Sequence, residues 1–101
     1  MNLLIDSSVP EKIVLSIENR AHFFGSANLS ENLLLEIKKF FKKYKIEFKN
    51  LKTIEIKTDS SFSKTRTVVA TANALIYALN LKQKLFKPQY HKDPNITLSK
   101  K

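Results

Sequence analysis

Between Arg66 and Lys82 the chain carries no charged side chain, and residues 67–81 (TVVATANALIYALNL) make a run of ordinary helix length. Val68, Ala72, Leu75 and Leu79 recur at spacings of three and four, Ala70, Ala74 and Ala78 at a strict spacing of four, and Val69, Ile76 and Tyr77 fill between them. A helix that is apolar around most of its circumference has to be covered on more than one side. A sheet covers one side only. In a chain of 101 residues little else is available, because a domain of this size buries a modest share of its surface. A second protein surface is therefore the economical cover, and the alanine row suits it, since small side chains let another helix approach closely. The competing arrangement seats Ala70, Ala74 and Ala78 against the domain's own sheet or first helix.

The elements before this segment follow from periodicity. Residues 2–5 form a short apolar run closed by Asp6-Ser7-Ser8 and Val9-Pro10, as a buried strand entering a turn does. Residues 12–18 (KIVLSIE) are β-branched and partly alternating, which predicts the second strand of a hairpin, and residues 20–26 predict a shorter third. A helix is expected over 28–44: Asn28 or Ser30 supplies a capping oxygen, Glu31 sits in the first turn, and Leu33, Leu34, Ile37, Phe40, Phe41 and Tyr44 lay down a wide apolar stripe. Lys38, Lys39, Lys42 and Lys43 take the remaining face. The segment 46–51 connects to a strand over 53–57 (TIEIK) with Ile54 and Ile56 inward. Ser61 or Ser63 then caps the helix running to about residue 80. The tail, about 82–101, holds Pro88 and Pro94 and supplies at most one short strand near Leu85-Phe86. This order predicts an α/β domain, a mixed sheet of about five strands carrying two main helices.

Composition narrows the chemistry. There is no cysteine, so disulfides, thiolate metal sites and cysteine nucleophiles are excluded. The opening MNLLID has no basic leader and no apolar run is long enough for a membrane span, so a soluble cytoplasmic protein is expected. Net charge is +9, from 18 Lys and Arg against 9 Asp and Glu. That balance permits attraction to nucleic acid, although abundant Lys, Asn, Ile and Phe beside a single glycine also fit a bias of the whole coding sequence. The densest basic patch is Lys38, Lys39, Lys42, Lys43 and Lys45, extended by Lys49 and Lys52: a solvated helix face, or a track for RNA.

Several segments resemble one family in the same order. Ser61-Phe62-Ser63-Lys64-Thr65-Arg66, followed by Ala70-x-Ala72-x-Ala74 and Tyr77-Ala78-Leu79-Asn80-Leu81, is similar to the segment G-P-G-S-F-T-G-L-R-I-G-x-A-x-A-x-G-L-x-x-A-L-G-I of the bacterial TsaB (YeaZ) family. Leu4-Ile5-Asp6-Ser7-Ser8 resembles its I-D-T-S opening, Ser30-Glu31-x-Leu33-Leu34-x-x-Ile37 its first helix, and Pro88-x-Tyr90-x-x-x-Pro94 its C-terminal close. Lys64 stands where the family has glycine, Leu29 where it has His, and Thr58-Asp59-Ser60 where it has Gly-Pro-Gly.

The resemblance implies a single actin-like or RNase H-like lobe over residues 1–101. It also implies a non-catalytic scaffold for TsaD, the enzyme that places threonylcarbamoyl on the adenosine beside the anticodon of certain tRNAs. The contact would be a helix-mediated dimer with TsaD, or with a second copy. Carried over, the interface is Leu33, Ile37 and Phe41 of the first helix and Val69, Ala70, Asn73, Ala74 and Tyr77 of the second. No cofactor is expected: phosphate cradles need close backbone approach, and residues 58–67 hold no glycine.

A different class is a stand-alone basic nucleic-acid-binding module, or a metal-dependent nuclease of RNase H-like fold. Its carboxylates would be Asp6, Glu36 and Asp59, which have to converge to hold two metal ions. Asp6 also suits a turn-capping role. His22 and His91 lack partners at metal-ligand spacing.

Overall fold

The computed structural model describes residues 1–58 and 62–87. Three strands come first: β1 (Asn2–Asp6), β2 (Lys12–Ile17) and β3 (Arg20–Gly25). Each pairs antiparallel with the next, in registers that put Ile5 opposite Leu15 and Leu15 opposite His22. The helix α1 (Leu29–Lys43) then crosses to β4 (Thr53–Lys57), which lies parallel to β1 with Leu3 opposite Ile54, and α2 (Phe62–Ala78) follows. The strand order is β3-β2-β1-β4.

The sheet has four strands among the described residues, not five. Leu85 and Phe86 form no strand. The edge of β4 is engaged by a side chain instead: Ile54 N–H donates to Gln83 Oε1 (2.7 Å) and Gln83 Nε2 donates to the Ile54 carbonyl (3.0 Å). One amide thus satisfies the two backbone groups that a fifth strand would have met there.

Strand alternation makes the sheet one-faced. Leu3, Ile5, Ile13, Leu15, Ile17 and Ile54 point to one face and are buried with Leu33, Ile37, Phe40 and Phe41 of α1 and Val68, Ala72, Leu75 and Ile76 of α2. Burying a side chain of this kind is worth about 1.5–3 kcal/mol. On the opposite face Leu4 and Val14 are half-buried and Phe23 is exposed. The 46–51 connection closes the end of the core: Ile46 and Leu51 are buried, and the Phe48 ring of a short 3-10 turn lies 4.5 Å from that of Phe41.

A chain with one glycine has to use other residues where the backbone turns left-handed. Both helices end in the same way. After α1, Lys45 takes φ 57, its N–H bonds Lys42 O, and Ile46 N–H bonds Phe41 O; after α2, Asn80 takes φ 55, with Asn80 N–H to Tyr77 O and Leu81 N–H to Ile76 O. The start of α1 departs from expectation. Asn28 is the N-cap, but it is left-handed (φ 55) and its side chain makes no capping bond; its carbonyl receives Glu31 and Asn32 N–H instead. Ser30 and Ser63 lie inside their helices, and Ser61 lies outside the described residues.

Candidate functional site

The helix phases decide which side chains remain for a partner. In α1, Leu33, Ile37 and Phe41 are 1%, 0% and 2% exposed, wholly within the chain's own core. These three expected interface residues are therefore core side chains of the chain itself rather than surface ones. Leu34 and Leu35, the neighbouring positions, face outward. In α2, Val68, Val69, Ala72, Leu75 and Ile76 are buried, so Val69 is also withdrawn from any docking surface. Ala70, Ala74 and Tyr77 are exposed, as is Ala78.

Asn73 has a different role. Its side chain accepts from Phe86 N–H (2.7 Å) and donates to Phe86 O (3.0 Å), fastening the segment after α2 back onto the helix. Together with Gln83 on β4, it holds residues 83–86 against the domain at two points.

The exposed faces of the two helices meet in a groove. Ser30 and Leu34 form its α1 wall, and Ala70, Thr71, Ala74, Leu75 and Ala78 its α2 wall. Toward the start of α2 the same channel continues past Ser63, Arg66 and Thr67. Ser30 borders both parts, so both helices begin at this end. The alanines make the groove shallow, and an apolar surface of this kind fits the side chains of another helix. Leu34 and Ala78 extend the predicted set, with buried Leu75 forming the floor between them. Their apolar character was visible in sequence; their facing one another was not.

The basic residues Lys38, Lys39, Lys42, Lys43 and Lys45 are all exposed. They occupy the outer side of α1 and its C-terminal end, where cations also suit the helix dipole. Tyr44 packs edge-on to Phe40 with Arg20 and Lys43 over its ring, and Phe40 and Phe41 are core.

Asp6 and Glu36 each have structural partners. Asp6 Oδ1 accepts both the N–H (2.9 Å) and the hydroxyl (2.6 Å) of Ser8, the turn-capping role. Burial alone would raise its pKa, but the Ser8 hydrogen bonds and the charges of Lys57 and Lys64 outweigh it, and the group is held below the ordinary 3.8. Glu36 bonds His22 Nε2 (2.8 Å), tying α1 to β3, and is reached by Lys39 at 3.6 Å. His22 is thus a clasp, stacked on Phe40 with ring centroids 5.9 Å apart.

Glu36 lies on the helix-bearing face of the sheet, because His22 pairs with buried Leu15, whereas Asp6 pairs with Val14 on the other face. Those two do not converge, and Asp59 and His91 lie outside the described residues. No group of three His, Asp or Glu among the described residues is placed to hold a metal ion. None of the described helices is long and apolar enough to cross a membrane.

No protein-family model and no curated protein matches the sequence. Among solved structures the fold is similar to YeaZ from Pseudomonas aeruginosa, with a TM-score of 0.65 and 20% identity over 79% of this chain. The matched part is 41% of the YeaZ chain, so the present chain spans well under half of it. The protein has a YeaZ-like (TsaB-like) fold, a mixed sheet with two helices. At this level of identity the likeness speaks for the fold alone.

Proposed function

We propose that this chain is a non-catalytic partner subunit resembling TsaB, which supports a TsaD-like enzyme in threonylcarbamoylation of tRNA through a helix-mediated contact. The observation that carries this reading is the exposed groove of Leu34, Ala70, Ala74 and Ala78 between α1 and α2, on a fold similar to YeaZ. The contact residues on this reading are Ala70, Ala74 and Tyr77, with Leu34 and Ala78 added. The lysines of α1 give the assembled surface a positive field toward tRNA.

The test is co-purification of the full chain with TsaD from the same organism, wild type beside Ala74→Glu. Capture by the wild type and loss with Ala74→Glu are expected. A folded wild-type protein that fails to capture TsaD overturns the reading. The nuclease alternative gains nothing from the separation of Asp6 and Glu36, and hydrolysis of labelled RNA or DNA with added Mg²⁺ or Mn²⁺ is expected to stay at background.

A further inference from the structure

The two edges of the sheet differ. At the β4 edge Gln83 pairs with Ile54; at the other end of the strand order stands β3, with no described strand beyond it. The bond from Ser26 N–H to Glu11 O fixes the phase of the β2–β3 ladder. Bonded and non-bonded pairs alternate in an antiparallel ladder, so in this register Ala21, Phe23 and Gly25 turn their N–H and C=O groups outward. Edges of this kind are ordinarily blunted by lysine, proline or a bulge. β3 (RAHFFG) has none of these: its register runs without interruption, its one Lys or Arg side chain is Arg20 at the first position, and Phe23 is 62% exposed.

A second β3, antiparallel and centred on Phe23, meets all of these groups at once. Across that two-fold axis Phe23 lies opposite Phe23 of the other copy, Ala21 opposite Gly25, and His22 opposite Phe24, which pairs every outward N–H and C=O of Ala21, Phe23 and Gly25. The central aromatic pair is of the kind that stabilises sheets. Arg20, whose guanidinium lies over its own Tyr44 ring, comes beside Ser26 of the other copy, next to which stands Glu11, so opposite charges approach at both ends of the ladder. On α1 above the edge Glu36 and Lys39 stand 3.6 Å apart, and each copy offers both signs there. The helix layer has room as well: two helices over four strands take about two strands each, which sets the two α1 helices about 10 Å apart, an ordinary helix spacing. We infer that β3 is a self-complementary edge through which two copies of this chain join antiparallel into one continuous sheet. This contact stands apart from the groove between α1 and α2 and does not depend on the docking role proposed above.

The chain has no cysteine, so single introduced cysteines report the register. Ala21 is exposed and a side chain added at Gly25 meets nothing within 4 Å, so both positions accept one. Hydrogen-bonded partners lie about 5.5 Å apart at Cα, within disulfide reach, whereas the Ala21 residues of the two copies are about 13 Å apart along the strands. Oxidation by diamide of full-length Ala21→Cys mixed with full-length Gly25→Cys is expected to give the mixed dimer, in about tenfold or greater excess over dimer from either variant alone.

Sedimentation of the wild-type chain is expected to show a dimer that grows with concentration. Phe23→Lys, at an exposed position, is expected to keep the circular dichroism of the fold and to weaken the dimer about tenfold or more, because it sets like charges across the axis. Amide exchange in the wild type is expected to slow with concentration at Ala21, Phe23 and Gly25 but not at His22 and Phe24, whose N–H groups are directed at β2. Cross-linking of each cysteine variant with itself as readily as with the other, or unchanged dimerisation of Phe23→Lys, overturns the inference. A strict monomer does the same, as does slow exchange at the three outward amides in dilute solution, which marks an occupant from within the chain.

Discussion

The side-chain amide of Gln83 lies on Ile54 as a strand residue would, accepting from its N–H at 2.7 Å and donating to its carbonyl at 3.0 Å. Exposed β edges invite pairing with other chains, and here one position of the edge is closed by a side chain from beyond α2. Gln83→Ala leaves both Ile54 groups without that partner. A loss of about 1–2 kcal/mol is expected in denaturant unfolding, with faster amide exchange at Ile54. Asn73→Ala frees the same segment from the other side, so the double variant is expected to lose less than the sum of the singles.

Two alanines two positions apart on α2 have opposite expected responses. Ala72 is 0% exposed among the core side chains, whereas Ala74 is exposed in the groove. Ala72→Glu buries an unpaired charge and is expected to cost about 3 kcal/mol or more, whereas Ala74→Glu stays within about 0.5 kcal/mol of wild type. Thermal unfolding of the two variants measures the contrast.

Lys45 occupies a left-handed position at the end of α1 with φ 57, where a side chain is strained. Lys45→Gly relieves that strain, offset in part by the greater freedom of glycine in the unfolded chain. A net gain of about 0.5–1 kcal/mol is expected, seen as a rise of a few degrees in Tm. Asn80→Gly is expected to gain less, because asparagine tolerates this conformation.

Asp6 gives the stability a pH dependence of defined sign. Its folded pKa is below 3.8, so the unfolded chain binds the proton more readily. The stabilisation is full above the ordinary carboxylate value and is lost as pH falls through the folded value. Asp6→Asn is therefore expected to be less stable than wild type at pH 7, by a fraction of a kcal/mol because solvent reaches the group. The difference is expected to close under acid conditions. Urea titrations at both pH values check it.

Much of the fold was legible because it is written in periods. The alternation of residues 53–57 and the three-and-four spacing of Leu33, Ile37, Phe40 and Phe41 required only that a strand has a period of two and a helix one of 3.6. The tail was not legible: Leu85-Phe86 has strand-like residues, but Asn73 and Gln83 fasten that segment by side-chain amides, a pairing of residues far apart in sequence that no local pattern announces. The docking face was half legible. The alanine row stood out, yet Leu33, Ile37, Phe41 and Val69 were expected outside and are inside.

The sequence by itself determined the helices, the hairpin, the basic surface, and the surplus of apolar side chains over what one sheet covers. Only the tertiary structure decided which stripe is surplus. A periodic pattern fixes angles around a helix axis but not the rotation of that helix against its neighbours. That rotation is set by how Phe40, Phe41, Val68 and Ala72 pack on Leu3, Ile5, Leu15 and Ile54. Once they are seated, Leu34, Ala70, Ala74 and Ala78 are left along the groove between the helices.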